Sequence, residues 1–89
     1  MPEATWYVYI VRCSDDTLYT GITTDLERRT HEHNHSPQGA RYTRARRPVC
    51  LVHSEPAASR SEACRREWQI KQLKTVEKTL LFSSSNGIT

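Results

Sequence analysis

The 89-residue sequence has no CxxC pair and no even set of cysteines, since Cys13, Cys50 and Cys64 stand far apart. That pattern excludes a disulfide framework and a four-cysteine zinc site, and it points to a reducing, intracellular setting. Nowhere is there a run of ~18 apolar residues that could span a bilayer. The N-terminus carries Glu3 rather than a basic segment leading into an apolar stretch. A soluble, cytoplasmic protein without a membrane partner is therefore expected. No internal repeat is visible. With 36% apolar residues, the chain has room for one core, burying roughly two-thirds of its unfolded surface, and not for a second domain. Charge is not extreme either: 13 Lys+Arg against 10 Asp+Glu give +3, which permits a polyanionic partner without requiring one. The placement of the arginines says more than their number.

What the chain does contain is a sequence of short elements. Residues 6–13, WYVYIVRC, are β-branched and aromatic, and they stop at the turn-forming Ser14-Asp15-Asp16 before a second strand around residues 18–22. The pair reads as a β-hairpin. Thr24 with Glu27 has the form of a capping box and opens a polar helix to about His35, ended by Asn34 and Pro37. Residues 36–48 hold Pro, Gly and four arginines without an acidic residue, and read as an irregular basic loop. A third strand is expected over 49–53 and a break at Pro56-Ala57-Ala58. Ser59 with Glu62 forms a second capping box, starting a helix to about Lys74, and Thr75 caps a last helix over 76–82. Residues 83–89 have the composition of a frayed tail. The order ββαβαα predicts an α+β domain over 1–82, a small three-stranded, mainly antiparallel sheet packed against helices.

Several residues stand out on these elements. Period-two alternation places Tyr7, Tyr9 and Val11 on one strand face and Trp6, Val8 and Ile10 on the other, and only one face need be core. The hairpin brings Tyr19 back towards Tyr9. On the first helix Leu26 marks the inward side, which places Arg29 and His33 beside it and turns Arg28, His31 and Glu32 away. On the later helix Glu67 lies between Ala63 and Ile70 on one side and Cys64 and Trp68 on the other. A carboxylate within an apolar arc should meet a cation, either an arginine such as Arg29 or a metal ion. A lone carboxylate completed by water and phosphate oxygens suits Mg²⁺. Arg41, Arg44, Arg46 and Arg47 with Tyr42 among them combine phosphate-binding guanidiniums with a stackable ring, the best candidate for a nucleic-acid contact. His31 and His35 are one helical turn apart, yet a zinc site would need further ligands, and none is evident.

In their order and spacing these positions resemble a GIY-YIG nuclease domain, and among its branches the small stand-alone UPF0213 family, over about residues 5–82. Tyr7-Val8-Tyr9 stands where that family has GIY, and Tyr19-Thr20-Gly21 where it has YIG. Thr23-Thr24-Asp25-Leu26-Glu27-Arg28-Arg29 resembles its helix start and places the motif arginine at Arg29. His33 matches a histidine of many branches, and Ala63-Cys64-Arg65-Arg66-Glu67 with Ile70-Lys71 resembles the segment of its metal-binding glutamate. The resemblance implies metal-dependent hydrolysis of phosphodiester bonds with Mg²⁺ or Mn²⁺. In that scheme Tyr9 is general base, Tyr19 orients water or phosphate, Arg29 stabilises phosphate charge, His33 supports by hydrogen bonding or proton transfer, and Glu67 holds the metal. It further implies an endonuclease acting on DNA rather than RNA, with specificity drawn from DNA structure or a protein partner. The alternative is a non-catalytic nucleic-acid-binding module on the same fold. Tyr7 replaces the first glycine of GIY, Ile22 stands where some branches carry a lysine, and the asparagine some branches add later has no counterpart.

Overall fold

The first strand, β1 (Trp6–Arg12), becomes the centre of the sheet in the computed structural model, which describes residues 5–83. Beyond Ser83 the expected tail lies outside the described residues. β2 (Leu18–Thr23) and β3 (Cys50–Ala57) flank β1 in the order β2-β1-β3, both antiparallel to it. The α+β class and the three-stranded antiparallel sheet are thus as the sequence predicts. The expectation of a single core face is not. Val8 and Ile10 are fully buried on one face, and Tyr9 and Val11 are buried on the other. A near-continuous apolar run is what a strand covered on both sides requires, and WYVYIVR has that character more than strict alternation.

Helices supply the two covers. Leu26 of α1 (Leu26–His35) packs with Tyr19 against Tyr9, Val11, Cys13 and Val49. On the opposite face, Ala63 and Ile70 of α3 (Arg60–Lys71) meet Val8 and Ile10, and Leu81 of α4 (Thr75–Ser83) joins them. Between α1 and β3 a single helical turn, α2 (Arg41–Arg44), interrupts what the sequence suggests is irregular. Its cap residue Ala40 offers no side-chain hydrogen bond. The turn is held instead by Thr43, fully buried, whose hydroxyl donates to Ala40 O at 2.9 Å. Composition alone could not reveal a turn that depends on tertiary burial.

The boundaries shift for local reasons. α1 is capped by Asp25, which accepts from Arg28 N at 2.9 Å, and not by Thr24. Thr23 Oγ1 meanwhile accepts from Asp25 N at 3.0 Å, so the chain leaves β2 through a threonine and enters the helix at the aspartate. α3 is capped by Ser59, as its capping box predicts, but it ends at Lys71 rather than Lys74. β3 runs through Pro56 instead of stopping before it, which an edge strand allows because the missing N–H need not face the ladder. A register shift between Ile10 and Val11 leaves Val52 as the extra residue on β3. Glu55 then fastens this edge to α3, accepting from Arg66 at 2.8 and 3.0 Å, and the guanidinium holds the carboxyl below its ordinary range.

One arginine of the basic segment is architectural. Arg47 turns inward and donates to the carbonyls of Glu32, His33 and Ser36 at the end of α1, where Glu32 O and Ser36 O also accept from the amides of Ser36 and Gly39. Asn34 completes the junction, exchanging two hydrogen bonds with the backbone of Val49 at 3.0 and 2.7 Å. Replacing Arg47 by alanine should leave these carbonyls without a charged donor and cost about 2 kcal/mol. A lowered urea midpoint, with far-UV circular dichroism otherwise retained, would show it.

Candidate active site

Tyr9 lies at the centre of β1 with 1% of its surface exposed, directly opposite Gly21 in the β1–β2 register. A Cβ at Gly21 would sit 2.6 Å from the Tyr9 hydroxyl and 2.8 Å from its Cζ. The phenol therefore lies across the glycine, and no other residue could stand there without moving the ring. Its hydroxyl ends 2.7 Å from Nε2 of His33, which reaches in from α1 and is itself fully buried.

The far side of the imidazole fixes its protonation. Ala40 N–H points at Nδ1 from 3.2 Å, so Nδ1 is the acceptor, and the proton of the neutral ring belongs on Nε2. Nε2–H then donates to the Tyr9 oxygen. Thr43 Oγ1 stands 3.0 Å from Nδ1. Ala40 is brought there by Gly39, where a Cβ would lie 2.5 Å from Glu32 O and 2.9 Å from His33 Cα. Burial, followed by the charges of Arg29 and Arg47, pushes the histidine down to about 4, with Glu32 opposing. Burial pushes the Tyr9 phenol up to about 12. Arg29 pulls it back by hydrogen bonding and charge, while Tyr19 and Glu67 add to the rise. At neutral pH the pair is a neutral phenol accepting from a neutral imidazole.

Around this pair the structure brings together Tyr19, Arg29 and Glu67. Tyr19 meets the His33 ring edge-on at 5.4 Å between centroids. Arg29 donates to Glu32 at 2.8 Å and to Gln38 O at 2.9 Å, so Glu32 does not turn away from the site as the helical wheel suggests. An i,i+3 pairing lets its carboxylate fold back along the helix. Glu67 finds its cation on its own helix, Lys71 at 3.2 Å, rather than in Arg29. Trp68 is 64% exposed, so the buried arc of α3 is narrower than the wheel implies. Glu67 sits at its border, where a carboxylate can reach the rim.

Among the described residues no group of three or more His, Cys, Asp or Glu side chains could hold a metal ion. His31 and His35 lie ring to ring at 4.7 Å without a third ligand. Glu67 is a single carboxylate at the edge of the tyrosine cluster, a donor set that fits Mg²⁺ completed by water and phosphate oxygens rather than a closed protein cage.

The basic segment divides. Arg41 and Arg44 are exposed and form no ion pair among the described residues. Arg46 is tied to Asp15 at 3.1 Å and lies 4.0 Å over the Tyr42 ring, which in turn stacks on Tyr19 at 5.9 Å. Tyr42 is thus engaged within the fold, and Arg47 is committed to α1. Sequence reasoning missed Gly39, Thr43 and Lys71. The glycine's burial against a helix backbone leaves no local signal, and Lys71 announces itself only through its spacing from Glu67.

Two tyrosines, a histidine, an arginine and a glutamate are gathered from a hairpin and two helices, and the family model described as GIY-YIG catalytic domain matches residues 5–79. The chain belongs to this nuclease family, in its UPF0213 branch. It is 58% identical over 85 residues to a UPF0213 protein of Desulfotalea psychrophila, covering 94% of this chain and 77% of that one. With a UPF0213 protein of Halobacterium salinarum the identity is 55% over 76 residues, covering 85% and 97%. The solution NMR structure of a UPF0213 protein from Bacillus halodurans is similar with a TM-score of 0.58 and 43% identity, covering 93% of this chain and 87% of that one. That of an E. faecalis protein gives 0.62 and 34%, covering 98% and 93%. No helix among the described residues is long and apolar enough to cross a membrane.

Gly21→Ala should force the Tyr9 ring aside and cost about 1–3 kcal/mol by overpacking, read from the denaturant midpoint. His33 titrates lower in the folded chain than its ordinary ~6.5, so the unfolded chain binds more protons between the two values. Stability should be full above pH 6.5 and fall as the pH drops towards 4. His33→Gln, which keeps an N–H donor, should flatten that part of the profile when urea midpoints at pH 7 and pH 5 are compared.

Proposed function

We propose that the chain is a Mg²⁺- or Mn²⁺-dependent endonuclease hydrolysing phosphodiester bonds in DNA, directed by DNA structure or by a protein partner. The observation that carries this reading is the buried Tyr9 hydroxyl on His33 Nε2, with Arg29 and Glu67 both acting electrostatically on that phenol. The Tyr9 phenol first gives its proton to solvent, and the phenolate, which keeps the Nε2–H donor already aimed at it, then takes the proton of the attacking water. His33 stabilises and orients this base and does not itself accept the proton, since its free nitrogen faces Ala40. Tyr19, edge-on to the imidazole, positions the water or the phosphate. Arg29 neutralises charge developing on the phosphate oxygens. Glu67 would hold the divalent ion, which when bound supplies a Lewis acid at the leaving oxygen and lowers the cost of ionising nearby groups. Arg41 and Arg44 lie free to hold the backbone of a strand crossing the site.

Wild type incubated with duplex, single-stranded and branched DNA should cut in Mg²⁺ and not in chelator. Tyr9→Phe, Arg29→Ala and Glu67→Ala should each lower the rate by about 10²-fold or more. Binding with a steep salt dependence but no scission in any metal would instead establish the non-catalytic module. Because the phenol titrates well above neutrality, the wild-type rate should rise by about tenfold per pH unit through the neutral range. A flat profile from pH 6 to 9 would remove Tyr9 as the base.

A further inference from the structure

Both charges on which the proposed chemistry depends are neutralised inside the fold. Arg29 is 2.8 Å from Glu32, and Glu67 is 3.2 Å from Lys71. These four formal charges cancel, so the resting site offers a phosphodiester little net attraction. The two pairs differ in how firmly they are held. Arg29 is fixed twice, by Glu32 and by the carbonyl of Gln38. Lys71 has 47% of its side chain exposed, and Glu67 is its single ion-pair partner among the described residues. Its ammonium also lies 5.9 Å from the centre of the Tyr19 ring, so it already stands beside the tyrosine cluster. β2 itself brings no cation there, since the residue after Gly21 is Ile22, packed in the opposite core with Val8 and Ile10.

We propose that Lys71 is a phosphate-binding residue held in reserve by Glu67: a divalent ion that takes the Glu67 carboxylate frees the ammonium, which then pairs with a nonbridging oxygen of the phosphodiester. The inference rests on Glu67 as the metal-binding group of the proposed nuclease. Two cations compete for one carboxylate, and a doubly charged ion beside Glu67 repels the ammonium that had neutralised it. Released, Lys71 needs only a side-chain rotation, because its flexible stem carries three donors in any direction. With the ion in place the same groups sum to +2, suited to a phosphate gaining negative charge. Metal and nucleic acid then assist each other through Lys71, and by linkage the assistance is mutual.

Lys71→Met tests this without reference to turnover. By electron paramagnetic resonance of free Mn²⁺, the variant should bind the ion alone about two- to fivefold more tightly, the change equivalent to an exposed ion pair. Fluorescence anisotropy of a labelled single-stranded DNA in Ca²⁺ should show weaker binding, with the slope of log K against log salt reduced by about 0.7, as expected for one lost phosphate contact on a single strand. In chelator the two slopes should agree. Lys71→Arg should restore the wild-type slope, and circular dichroism of both variants controls for folding. Unchanged or weaker Mn²⁺ binding in Lys71→Met, or an unchanged slope in Ca²⁺, would overturn the proposal. If these shifts appear while wild type cuts no substrate, the nuclease reading fails and the exchange at Lys71 stands. If wild type cuts but neither shift appears, only the role of Lys71 is lost.

Discussion

The hydrogen bond between the Tyr9 hydroxyl and His33 Nε2, 2.7 Å long and closed to solvent, is the constraint around which the rest is arranged. A buried phenol facing a buried imidazole needs every remaining polar atom satisfied. Gly21 lets the ring lie flat across β2, Ala40 N–H takes the second ring nitrogen, and Thr43 closes that side. Gly39 allows the connecting segment to pass against the backbone of α1. The segment after α1 therefore serves the site first as a wall. Its contribution of exposed charge comes second, from Arg41 and Arg44.

The same constraint explains why so basic a stretch is internally occupied. Arg47 gathers the last carbonyls of α1, which holds the helix where His33 can reach the sheet. Arg46 lies on Tyr42, Tyr42 on Tyr19, and Tyr19 against His33. This column runs from the hairpin turn, through Asp15, to the imidazole. Two of the four arginines in the segment act on architecture, and their charge is spent on acceptors within the chain.

Much of this was legible in the residue order, and the reasons for the remainder are specific. The hairpin, the second capping box and the antiparallel sheet follow from local chemistry, because turn residues and cap residues act within a few positions. Arg29 and His33 could be placed on the inward side of α1 from Leu26 alone. Glu32 could not, since an i,i+3 salt bridge bends a side chain away from its wheel position. The double-sided burial of β1 is present in its unbroken apolar run, whereas period-two alternation points to one core face. Thr43, Gly39 and the inward turn of Arg47 depend on how the segment after α1 folds back against that helix, which no local turn or cap pattern specifies. The helical pattern marks Glu67 as a carboxylate in need of a cation, yet the choice between arginine, metal and a lysine on its own helix is a matter of side-chain reach.

The strand order has a consequence for how the molecule comes into being. Among the described residues β1 is the first element, and it is the middle of the sheet, its second edge filled by a strand beginning at Cys50. The hairpin can close early, but pairing of β1 with β3 must wait for a long loop to be drawn together, the slow kind of contact in folding. Tyr9 and Tyr19 come from the hairpin, His33 and Arg29 from within that loop, and Glu67 from beyond β3. The cluster is therefore complete only after α3 has followed β3 into place, and a chain that has emerged only as far as β3 holds four of its five members.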